Sequence, residues 1–76
     1  MGEAEWLDNF GDNLSILLAD YGVSQAELAE KAGLSEPTIS SYINKRRMPG
    51  VKAILNIAYA LNIDIEDLID FGSTIH

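Results

Sequence analysis

Apolar residues recur along this chain at three- and four-residue spacing and nowhere with period two, so the pattern predicts helices and no sheet. Phe10, Leu14, Leu17, Leu18 and Tyr21 form the first stripe and place a helix at about 8–20, with Gly22 set to end it in a left-handed cap. Met1–Leu7 carry no stripe and are expected to be loose, although Trp6 is large enough to fold back onto the domain. Ser24-Gln25-Ala26-Glu27 is a capping box: the serine oxygen accepts the Glu27 N–H and the glutamate reaches back. It predicts a second helix at 25–32 that turns Leu28, Ala29 and Ala32 inward and stops at Gly33. Only Leu34 separates Gly33 from Ser35, a second N-cap candidate. Pro37 then falls in the first turn of a third helix, 36–43, where its missing N–H is harmless. Ile39, Tyr42 and Ile43 supply the buried side of that helix, while Glu36, Pro37, Ser40 and Ser41 make its opposite side small or polar. After Asn44, Lys45-Arg46-Arg47-Met48-Pro49-Gly50 reads as a basic loop closed by a Pro-Gly turn. Val51, Ile54, Leu55, Ala58 and Leu61 predict a fourth helix at 51–61, and Asp64 opens a short fifth one at 65–70 bearing Ile65, Leu68 and Ile69. The predicted fold class is all-α: five helices in one domain, 1–76, with its core at about 8–70.

Charge changes the picture more than composition does. Twelve acids against five bases leave the 76-residue chain at −7, which on its face argues against nucleic acid. All five bases, however, lie between Lys31 and Lys52, with Glu36 the sole acid among them. A segregated charge can present one positive patch on a negative body, and the local field matters more than the total. There is no cysteine, and the one histidine is His76, so no thiolate site, metal-binding His pair or His-based relay is available. Ser40 and Ser41 have no base arranged to activate them, and the adjacent acids Glu66 and Asp67 fall on different helix faces. No enzyme, metal or cofactor is expected. No apolar run approaches the ~20 residues of a membrane span, and the chain reads as cytoplasmic.

Two short helices joined by a tight Gly33-Leu34-Ser35 turn match the helix-turn-helix pattern, which holds the second helix proud for a major groove about 12 Å wide. Ser24-Gln25-Ala26-Glu27-Leu28-Ala29, Gly33-Leu34-Ser35, Thr38-Ile39-Ser40, Pro49 and Leu55-x-x-Ala58-x-x-Leu61 together resemble the phage-repressor and Cro type of helix-turn-helix domain, the XRE or lambda-repressor-like family, over about residues 8–70. The resemblance implies a compact five-helix bundle and a bacterial or phage repressor that binds a palindromic operator in double-stranded DNA as a homodimer. It also implies residue roles. Gln25 matches a phosphate-touching glutamine that braces the first reading side chain. Glu36, Pro37 and Ser41 stand where base edges are read, with Ser35, Thr38 and Ser40 placed for phosphate or additional contacts. Asn44 matches a phosphate-contacting asparagine, and Lys45, Arg46 and Arg47 stand at phosphate clamps.

Glu36 has two roles open to it: accepting from cytosine N4–H₂, or stabilising the helix N-terminus through its dipole. Three departures from the family pattern matter. Lys45 replaces a common glycine, so the turn is expected to be made differently, with Asn44 as the left-handed residue. Ile43 replaces a frequent glutamate and is expected to pack. The overall acidity predicts weak non-specific affinity. Three or four phosphate contacts per protomer would give a dimer a salt slope of roughly −5 to −7. Ile63, Ile65, Ile69, Phe71 and Ile75 are more apolar residues than one short helix buries and are the expected dimer surface, the alternative being that they cap the chain's own core. The competing reading is a protein-interaction module, such as the antitoxin of a toxin pair, whose acids would meet a basic partner.

Overall fold

The computed structural model describes residues 2–69. Five helices follow in chain order: α1 (Glu3–Tyr21), α2 (Gln25–Ala32), α3 (Glu36–Ile43), α4 (Val51–Leu61) and α5 (Ile65–Ile69). Among the described residues there is no strand. α2 packs on α3 and α4, α1 packs on α3 and α5, and α4 packs on α5. Phe10, Leu14, Leu28, Ile39, Ile57 and Leu68 are fully buried where the five helices meet. No described helix is long and apolar enough to cross a membrane.

The caps fall where the punctuation places them. Gly22 and Gly33 end α1 and α2 at φ 66° and 70°. Ser24 and Glu27 exchange two 3.0 Å bonds at the start of α2. The glutamate lies below the usual carboxylate range, chiefly because the Ser24 N–H donates to it, with the serine side chain and Lys31 adding to the effect.

α1 differs from expectation at its start: it begins at Glu3, not about Asp8. The extra turns rest on aromatic packing, which periodicity does not weigh. Trp6 stacks on Phe10, one turn along, with centroids 5.2 Å apart and 9° between planes. Phe10 in turn meets Tyr42 of α3 edge-on at 6.1 Å and 78°. Gly11 lets these helices approach closely. A Cβ there would stand 2.7 Å from the Tyr42 carbonyl oxygen and 2.9 Å from that of Ile43, so only glycine fits against this backbone. At the other edge of α1, the Asn13 amide donates to the Leu68 carbonyl at 2.6 Å and the Asp67 carbonyl at 3.2 Å, satisfying two carbonyls near the end of α5.

The buried stripe of α4 is also rotated from the predicted one. Ile57, Ala58 and Leu61 are buried and Ile54 packs against them, whereas Val51 and Leu55 face outward. Only Lys52 and Asn56 are polar in this helix, so helical spacing alone fits more than one face.

Candidate nucleic-acid interface

The turn between α2 and α3 is closed from both sides. With Gly33 left-handed, the Leu34 N–H reaches the Ala29 carbonyl at 2.9 Å and the Gly33 N–H the Glu30 carbonyl at 3.3 Å. Ala29 is buried beneath this turn and Leu34 packs on the same core. Ser35 starts α3 as its N-cap, accepting the Thr38 N–H at 3.2 Å, and the two hydroxyls share a 2.7 Å bond. Ser35 and Thr38 thus serve the helix start, at the end where partial positive charge gathers.

α3 is divided cleanly between core and surface. Ile39 and Tyr42 are buried and Ile43 half-buried. Pro37, Ser40, Ser41 and Asn44 recur at i, i+3, i+4 and i+7 and form the opposite face. Pro37 and Asn44 are exposed there, the serines half-exposed, and Glu36 is exposed at the helix start. The Asn44 amide donates to the Ser40 hydroxyl oxygen at 3.1 Å, so that hydroxyl keeps its proton to donate. Gln25, half-buried, opens α2.

The turn after α3 corrects the expectation. Asn44 has φ −85°, and Lys45 is the left-handed residue at φ 63°, a conformation that costs an L-residue ~1–2 kcal/mol. Its ammonium is paired with a carboxylate: Lys45 Nζ lies 2.7 Å from Asp12 Oδ1 of α1. That hydrogen bond, with the charges of Asp12 and Asp8, holds the lysine above its ordinary range. Arg46, Arg47 and Lys52 are exposed, and no ion pair engages them among the described residues. Of the three basic residues in this loop, two stand exposed and one is turned toward α1.

The expected dimer residues separate as well. Ile63 and Ile69 are partly buried against the chain's own core, and Ile65 stays at the surface. Phe71 and Ile75 lie outside the described residues. An exposed apolar stripe lies on α4, where Val51, Leu55 and Tyr59 are 73%, 50% and 85% exposed at i, i+4 and i+8.

The Cro/C1-type HTH DNA-binding domain matches residues 13–72, which spans the α2–turn–α3 unit, the basic loop and the two helices after it. The chain belongs to that family. Solved structures share the fold of this Cro/C1-type chain. The restriction-modification controller protein C.AhdI from Aeromonas hydrophila is 32% identical, with a TM-score of 0.79 over 82% of this chain and 94% of that one. The hypothetical transcription factor NHTF from Neisseria is 24% identical (TM-score 0.79, 91% of this chain and 80% of that one). The clp gene regulator ClgR from C. glutamicum is also 24% identical (TM-score 0.79, 93% and 94%). No curated protein matches the chain at a significant level. As a Cro/C1-type domain the chain is a DNA-binding regulator by family, with the five-helix fold these structures share.

Two residues that shape the Cro/C1-type site here escaped the sequence reading. Gly11 was visible as an isolated glycine inside a helical stripe, a signal of close approach. Asp12 had no such signal, since one more acid on an acidic helix announces nothing about a lysine 33 positions on.

Proposed function

We propose that this protein is a transcriptional repressor that lays α3 in the major groove of a palindromic operator and binds as a homodimer. One observation carries the reading: the small polar face of α3 borders exposed arginines that no acid of the described residues neutralises. On this reading residues 1–76 act as one DNA-binding domain in the cytoplasm. Pro37, Ser40 and Ser41 meet base edges, Ser40 giving its hydroxyl proton, Pro37 offering apolar contact to a thymine methyl, and Glu36 accepting from a cytosine. Gln25, Ser35, Thr38 and Asn44 contact the backbone at or beside helix ends, and Arg46 and Arg47 clamp phosphates.

One recognition helix reads few base pairs, so two protomers spaced about 34 Å along the duplex are required for useful affinity. The Val51, Leu55 and Tyr59 stripe is the surface by which they meet. It is apolar and free of acids, so two copies of a −7 chain approach there with least repulsion.

The 32% identity to a restriction-modification controller makes the genes of such a system the first place to seek the operator. Titration of the protein with duplexes from upstream of its own gene, across salt, tests the reading: binding should be sequence-specific and salt-steep. The exposed acids Glu5, Asp8 and Asp20 of α1 favour a second reading, a module that docks a basic protein such as a toxin. Co-purification of a basic partner with no retained DNA would establish that one instead.

A further inference from the structure

We infer that Lys45 is a positioning residue, which ties the loop carrying Arg46 and Arg47 to α1 through Asp12 and stays off the DNA phosphates. The inference rests on the DNA-binding reading above for its consequence, but on the free protein for its geometry.

A backbone conformation and two contacts place Lys45. Its backbone is left-handed at φ 63°, where glycine is the comfortable residue, so its side chain is kept at a conformational cost. Its stem lies over Gly11: Lys45 Cγ is 3.0 Å from where a Cβ of that glycine would sit, so the stem fills the notch that the missing side chain leaves. Its ammonium then reaches Asp12 Oδ1 at 2.7 Å, one residue further along α1. Backbone and side chain act together. The Lys45 N–H is bonded to the Tyr42 carbonyl at 3.1 Å and the Arg46 N–H to the Ser41 carbonyl at 2.8 Å, so fixing Lys45 fixes where Arg46 leaves α3.

The electrostatic consequence is equally direct. A lysine whose charge is met by a carboxylate releases no counterion from DNA, whereas Arg46, Arg47 and Lys52 are unpaired among the described residues. Each protomer then brings Arg46, Arg47 and Lys52 to the duplex without Lys45, and a dimer's salt slope falls to about −5.

The deciding variant is Asp12→Asn/Lys45→Met, which keeps the net charge of the chain. The probe is the duplex that the wild-type protein selects from a random-sequence pool. If Lys45 positions the loop, this variant binds several-fold more weakly with an unchanged salt slope, while Arg47→Met lowers the slope by about 0.9 per protomer. A slope lowered as much by the double variant as by Arg47→Met overturns the inference, because Lys45 would then be meeting phosphate.

A second measurement needs no DNA. Amide exchange at Arg46, relative to Leu34 in the other turn, should quicken several-fold in Asp12→Asn/Lys45→Met. It should return toward wild type in the swapped pair Asp12→Lys/Lys45→Asp. Unchanged exchange at Arg46 in the double variant overturns the inference even if DNA binding is intact. A wild-type chain that selects no duplex, yet shows this exchange pattern, removes the repressor reading and leaves the tether standing.

Discussion

α1 and the segment 44–50 lie against each other and are held in opposite ways. α1 is fixed along its inner face by Phe10, Leu14 and Leu18, by an aromatic stack at Trp6, by a glycine notch against α3 and by an asparagine bond to α5. The segment between α3 and α4 has the buried Pro49 and the Lys45–Asp12 pair, while Arg46, Arg47 and Met48 stand in solvent. The difference teaches where each kind of substitution should register. Changes to the inner face of α1 are expected to register in folding and, on the proposed reading, changes to the outward residues of the loop and of α4 in binding.

The largest expected effect is on the α1 side. Phe10→Ala removes a fully buried ring that joins α1 to α3 and should cost ~3–5 kcal/mol in urea unfolding. Its DNA salt slope, measured below the melting point, should be that of the wild type. Next comes the opposite case. Tyr59→Glu touches a side chain that is 85% exposed and should leave unfolding within ~0.5 kcal/mol. It should nonetheless convert a dimer to a monomer in sedimentation and weaken operator binding by about a hundredfold. An unchanged oligomeric state would break the assignment of α4 as the meeting surface.

Gly11→Ala sits on the boundary and should move both sides. A methyl group 2.7 Å from a backbone oxygen forces α1 off α3, costing ~1–3 kcal/mol, and it also displaces the Lys45 stem. Stability and DNA affinity should therefore fall together, unlike in either preceding variant. The smallest effect is a titration. Because the Glu27 carboxyl is held below its ordinary value by the Ser24 N–H, its contribution is complete above the unfolded pKa of about 4.3 and fades as pH falls through the lowered folded value. Ser24→Ala should flatten that part of the stability–pH curve without altering the salt slope of DNA binding.

Most of the architecture was legible because it rests on local chemistry. Gly22, Gly33 and the Ser24–Glu27 box announce their turns through the backbone demands of a few adjacent residues, and the structure places each as read. The polar face of α3 was legible for the same reason, since Ile39 and Tyr42 fix which side is inward. What escaped depends on partners far along the chain. The first turns of α1 rest on the Trp6–Phe10 stack, and the face of α4 could not be chosen from spacing in a helix with two polar residues. The left-handed position after α3 falls on Lys45 instead of Asn44, even though asparagine tolerates that conformation better. Local preference yields there to Asp12 and Gly11, which wait on another helix.

Asn13 joins residues 54 and 55 positions apart, a longer span than the 33 positions between Lys45 and Asp12. During synthesis this latch cannot close until α5 has left the ribosome, whereas the α2–α3 hairpin has all it needs much earlier. Local contacts form first because their loops are cheap to close, so the latch belongs to the last stage of assembly. It therefore governs how slowly the finished molecule comes apart rather than how quickly it forms.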